Sequence, residues 1–229
     1  MHTLPASPLE AECRALMRCL RRYRRIDWQA AAADPRCSTE GLFGPAGGKM
    51  FGLLACRNAA DEKVVLRAFS GQYNGLWQVA GWVGPIFAPE RFAALVQEPE
   101  RAIKELGWKI EALPATSPLR RALRQQRRQL SRRLMTQVHD LYRLTNFRGE
   151  TLPLTKAFLG AGAPPAGTGD CCAPKLLHHA VCHNLRPYAL AEWYWGSDSA
   201  SGLRSHGCLY PACAAKCQPL LGFLLCGLS

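Results

Sequence analysis

No apolar run in the sequence is long enough to cross a bilayer. The most hydrophobic stretch, Pro219 to Leu228, is interrupted by Gly222 and Gly227 and falls short of the roughly 20 residues a helical span requires. The N-terminus, MHTLPASPLEAECRALMRCLRRYRR, lacks the apolar core and small-residue cleavage site of a secretory leader, so a cytoplasmic protein that engages no membrane is expected. Acidic residues are scarce, 17 against 29 lysines and arginines, and the resulting formal charge of +12 calls for a polyanionic partner. Core-forming residues are not scarce. With 229 residues, 48% of them hydrophobic, the chain can bury a core as one large or two small domains, which excludes a disordered tail.

Eleven cysteines are an odd number, and a reducing compartment keeps thiols free, so metal binding or catalysis is a better reading than a disulfide framework. Seven of them, Cys171, Cys172, Cys182, Cys208, Cys213, Cys217 and Cys226, fall in the last 59 residues. The other four, Cys13, Cys19, Cys37 and Cys56, read as small buried hydrophobes.

The positive charge is concentrated as well. Between Pro118 and Glu150 stand nine arginines against Asp140 and Glu150 alone, which is more than half of the net charge. Arginine in place of lysine suits planar, bidentate contact with phosphate. Arg120, Arg121, Arg124, Arg127, Arg128, Arg132 and Arg133 are therefore the candidate RNA-binding residues, with a merely solvated helix face as the alternative.

Four segments follow from the pattern. Residues 1–36 form a basic amphipathic helix: Ser7-Pro8-Leu9-Glu10 has the form of a capping box, and Leu9, Cys13, Leu16, Leu20, Tyr23 and Trp28 recur at helical spacing up to about Ala33. Residues 34–48 read as a loop rich in proline and glycine. Residues 37–112 contain three candidate strands, KMFGLLACR, EKVVLRAFSGQ and LWQVAGWVGPIF, the first two forming a hairpin, followed by a helix over 89–112. Residues 113–150 hold a long arginine-rich helix starting at Thr116-Ser117-Pro118 and reaching about Leu144, a rod on the order of 40 Å. After the flexible GAGAPPAGTG stretch, residues 160–229 form a cysteine-rich segment that completes the core of 37–112, with a helix at 171–184, a buried strand PYALAEWYW and a helix at 211–226. The expected class is α/β, a small mixed sheet flanked by helices with a long basic helical insertion.

Cys213 and Cys217 are four residues apart and share one face if helical, while Cys171 stands at the start of a helix, where the dipole favours a thiolate. A helix start with one ligand, a strand, then a second turn with two ligands resembles the plan of the zinc nucleobase deaminases. The chain departs from that pattern in two places. Ala173 occupies the position of the deaminase glutamate, and the pair spacing is C-x-x-x-C. A structural zinc site of Cys171, Cys213 and Cys217, with Cys208 as fourth ligand and Cys172 or His206 as alternatives, is the primary expectation. A zinc-dependent, deaminase-like enzyme acting on a nucleobase or nucleotide is the alternative, and it needs Asp170 or Glu192 to reach the metal. Cysteines that serve packing alone are the third possibility. His178, His179 and His183 read as helix-surface residues. The run Trp193, Tyr194, Trp195 is either a base-stacking platform or a strand buried between helices.

The strings MFGLLAC, LRAFSGQ, GWVGPIF, GTGDCCAPKLLHHAVCHNLRPYALAEWYWG and YPACAAKCQPLLGFLL resemble the region that precedes the catalytic domain in long bacterial pseudouridine synthases of the RluA type. The similarity spans most of residues 49–226 and includes Asp170, Cys171, Lys175, Glu192, Trp195, Cys213 and Cys217. It implies an RNA-associated accessory role, on structured ribosomal or transfer RNA, with a separate pseudouridine synthase chain as a possible partner. The aspartate-bearing His-Arg-Leu-Asp-x-x-Thr-Ser-Gly string of that family does not occur, so no uridine isomerisation is expected from this chain alone.

Overall fold

Lys49–Arg57 (β1) and Lys63–Phe69 (β2) pair as the antiparallel hairpin read from the sequence. Their turn is built on Asn58, whose Oδ1 accepts from the backbone N–H groups of Ala60 and Glu62 while Asp61 takes a left-handed φ of 60°. Arg186–Trp195 (β5) lies along the other side of β1, and the short Leu209–Tyr210 (β6) closes a four-stranded sheet in the order β2-β1-β5-β6. Every pairing is antiparallel, where a mixed sheet was expected. A second, two-stranded sheet joins Arg143–Thr145 (β3) and Thr151–Pro153 (β4). The computed structural model describes residues 4–45, 47–199 and 201–228; residues 1–3, 46, 200 and 229, which belong to the expected terminal segments and loops, lie outside the described residues.

The sheet is covered on both faces, so β5 is apolar almost throughout rather than alternating. Phe51, Leu53, Ala189, Ala191, Trp193 and Trp195 face one layer, packed against Leu9, Cys13, Leu16 and Leu20 at the start of the chain and on helix α1 (Glu10–Tyr23). Burying a leucine of this kind contributes roughly 1.5–3 kcal/mol. Leu54, Cys56 and Leu190 face the opposite layer, formed by Cys172–Cys182 (α5) and Gln218–Leu224 (α6). Gly52 is what lets α5 lie so close. A Cβ built there would come within 2.6 Å of Cys172 Cβ.

Several expected boundaries move. The first helix ends at Tyr23, ten residues short of Ala33, because Arg24 turns left-handed with φ 51° and gives its N–H to Leu20 O. Ser7 forms no capping box; it opens a 3-10 turn over Ser7–Leu9 without a side-chain cap. Residues 76–87 form no strand. Gly75 and Gly81 take left-handed φ values, and the segment is instead pinned by Trp82 Nε1 donating to Ile26 O at 2.9 Å and by Arg67 lying over the rings of Trp28 and Trp82.

Pro89–Glu111 (α2) and Pro118–Asp140 (α3) are helical as expected and pack against each other, although α3 stops before Leu144, which belongs to β3. Only Leu134 and His139 of α3 are buried, and Leu119 near its start is 56% exposed. The arginine-rich part of the helix therefore stands away from the core. Leu154–Ala157 (α4) is a single turn tucked into the α5–α6 layer.

Candidate metal centre

Cys171 is the residue immediately before α5, extended in backbone, with no side-chain cap of its own. Cys213 and Cys217 arrive on a turn that precedes α6. The N–H groups of Cys217 and Gln218 both bond Cys213 O at 3.0 Å, so the two thiols share one side of a helical turn as their spacing implied. The Sγ atoms of Cys171, Cys213 and Cys217 all lie within 4.8 Å of one another, and those of Cys213 and Cys217 are 3.4 Å apart. Cys217 is buried and the other two are half-buried. Three soft ligands converging in this way can hold one metal ion.

The electrostatics of the trio are asymmetric. The Cys213 thiol is held well below its ordinary value by its hydrogen bonds with the Cys171 and Cys217 thiols, with the backbone N–H groups of Lys216 and Cys217 adding to the effect. Cys171 and Cys217 are both raised, chiefly by their hydrogen bonds with the neighbouring thiols. Thiols coupled this closely give up protons when a cation enters.

Of the proposed fourth ligands, none joins the three at that separation among the described residues. Cys208 is exposed, its carbonyl accepting from Tyr194 N and its N–H donating to Ser205 O. Cys172 points the other way, its Sγ 3.5 Å from Met50 O and 3.6 Å from Ala68 O. His206 lies against the Trp195 ring, with Gly196 N donating to its Nδ1.

The motif residues have distinct places. Glu192 comes from β5 on the α5 face, is 6% exposed, and its Oε1 accepts from Ala173 N at 3.1 Å. It thus caps the first turn of α5 from another strand. Burial raises its carboxyl to about 7, and its charge is felt by the thiols of Cys171, Cys213 and Cys217. It also lines an apolar cavity of about 340 Å³ with Leu190, Tyr210 and Ala212. Asp170 accepts from Tyr142 Oη at 2.5 Å while its carbonyl takes Gly71 N, and burial raises its carboxyl. Both contacts fix the residue just before Cys171. Lys175 is 1% exposed, donates to Phe69 O at 2.7 Å and lies over the Phe69 ring, and burial lowers its ammonium. Trp195, like Trp193 and Tyr194, is buried, so this run is core rather than a stacking platform. The Tyr142–Asp170 contact and the Glu192 cap had no signal in the sequence, since each joins elements far apart in the chain.

On α3, Arg121, Arg124, Arg127, Arg128, Arg132 and Arg133 are exposed and Arg120 is half-buried. None of the seven is in an ion pair among the described residues, whereas Arg101 of the neighbouring α2 is paired with Glu98 and Glu105. No helix of the described residues is long and apolar enough to cross a membrane.

The class that fold and site define is an α/β protein with a three-thiol group that could hold a metal ion and a helix whose arginines have no acidic partner among the described residues. No family model, curated protein or solved structure matches the chain.

Proposed function

We propose that this protein is an RNA-binding accessory module, cytoplasmic, that carries a structural zinc ion on Cys171, Cys213 and Cys217 and serves pseudouridine formation carried out by a separate RluA-type catalytic chain. The observation that carries the reading is the row of seven α3 arginines with no acidic partner. Unpaired guanidiniums along a largely exposed helix are suited to replace the counterions of structured RNA. Zinc is among the metals that a set of soft thiolate ligands selects. Similarity to the RluA-type accessory region supplies the process.

The test is RNA affinity against salt. The logarithm of the binding constant for a structured RNA should fall steeply and linearly with the logarithm of salt concentration. Arg127→Gln, Arg128→Gln and Arg132→Gln together should flatten that slope by roughly 0.7 to 0.9 per charge removed, without altering stability, because these side chains are exposed. Salt-insensitive binding, or an unchanged slope in the triple variant, contradicts the reading.

A second reading is favoured by Glu192. A buried carboxyl beside three thiols and an apolar cavity is the ingredient a zinc hydrolase of deaminase type needs for proton transfer, supplied here from β5 in place of Ala173. Ammonia released from nucleosides by the zinc-loaded protein, and lost in Cys213→Ala, separates it from the first.

A further inference from the structure

On the sheet face opposite the three thiols, a second cavity of about 410 Å³ lies between the end of α1, the 3-10 turn at Glu40–Phe43 and the end of β5. Its walls are of two kinds. Phe43, His206 and Trp195 form an aromatic cluster, with ring centroids 5.2 Å apart for Phe43 and His206 and 4.4 Å for Trp195 and His206. Trp195 is the buried floor, but Phe43 is 49% exposed and His206 is also exposed, so two rings present faces or edges that the protein itself leaves uncovered. The other wall is cationic. Arg21 and Arg24 both line the cavity; Arg24 pairs with Glu40 at 3.2 Å in an exposed contact, and Arg21 has no acidic partner among the described residues.

Each feature has a chemical meaning. An exposed phenylalanine costs hydration free energy unless something covers it, and a flat ring beside an imidazole accepts another flat ring. An unpaired guanidinium within the same cavity binds an oxyanion, with one net positive charge left after Glu40 is counted. Gly196 N donates to His206 Nδ1, so in the neutral ring Nε2 carries the hydrogen and is a donor available to a ligand. The volume suits one small planar molecule.

We infer that this cavity binds a nucleoside phosphate, the base against Phe43 and His206 and the phosphate on Arg21 and Arg24. The ligand is a free mononucleotide or one unpaired residue of an RNA strand, whose chemistry here is the same. The site is distinct from both the metal centre and α3, and it stands whether or not the arginine helix binds RNA.

The experiment titrates the full chain with UMP, AMP and a short single-stranded oligouridylate, following tryptophan fluorescence and the shifts of the His206 ring in an NMR spectrum. Saturable binding is expected, weakened about tenfold or more by Phe43→Ala and by Arg21→Glu, both replacements of exposed side chains. Binding should be untouched for the mononucleotides by the triple arginine variant of α3. Saturation with a mononucleotide identifies free nucleotide as sufficient; saturation with the oligonucleotide alone, still lost in Phe43→Ala, identifies an unpaired RNA residue. The inference is overturned if none of the probes binds, or if neither pocket substitution weakens the binding seen. Oligonucleotide affinity that depends only on the α3 arginines also overturns it, while leaving the RNA-binding reading intact.

Discussion

Glu192→Gln should make the metal-free protein more stable at pH 8 and leave it unchanged near pH 4.5. The carboxyl is 6% exposed, and burial raises it from its ordinary 4.5 to about 7. Between those values the folded chain holds a proton that the unfolded chain has released, so stability falls as pH rises through that window and stays low above it. The rise corresponds to roughly 3 kcal/mol for a group this buried. Glutamine never ionises, and its amide oxygen can still accept from Ala173 N, so the cap on α5 survives while the pH dependence disappears. Urea unfolding of the two proteins across pH reads the loss of the Glu192 charge together with the lower thiol values that follow from it. Parallel stability profiles would show that the carboxyl is not held in an environment that disfavours its charge.

Gly52→Ala should cost on the order of 1–3 kcal/mol and lower metal affinity at the same time. The added methyl would sit 2.6 Å from Cys172 Cβ, 3.3 Å from Leu176 Cδ1 and 3.4 Å from Glu192 Cγ. Two of these belong to α5 and the third caps it, so the helix must lift from the sheet. Cys171 stands at the start of that helix, and lifting it separates its sulfur from Cys213 and Cys217. Gly107→Ala is the matching control: it lies on α2 with nothing within 4 Å of its Cβ, and should stabilise by about 1 kcal/mol through helix propensity. Chemical denaturation, together with zinc competition against a chromogenic chelator, reads both effects. A Gly52→Ala protein of full stability and affinity would mean that α5 does not depend on this close approach.

Local pattern carried much of this architecture. β1 is the stretch KMFGLLACR as read, the second and third helices begin where proline and charge patterning place them, and the thiols of Cys171, Cys213 and Cys217 meet because a helix start and an i, i+4 turn both have local signatures. What escaped the sequence depends on distant partners. The end of α1 is set by Arg24 turning left-handed, and Thr39 N then bonds Arg24 O across the loop. The apolar 76–87 segment has strand-like composition but is held by Ile26, Trp28 and Arg67, none of them its neighbours in sequence. Cys208 has a plausible spacing for a fourth ligand, yet it is exposed in the turn before β6, tied by its backbone to Tyr194 N and Ser205 O. Glu192 was legible as a carboxylate in an apolar strand. Its position over the start of α5 was not, because that depends on the β1–β5 register.

The most direct test of the metal centre is elemental analysis of protein purified without chelator, beside the Cys171→Ala/Cys213→Ala double variant. The expected result is about one zinc per chain in the parent and none in the variant, with both proteins folded. A folded parent protein that carries no metal and takes up none on addition of zinc would contradict the account, and would leave the three sulfurs to packing alone.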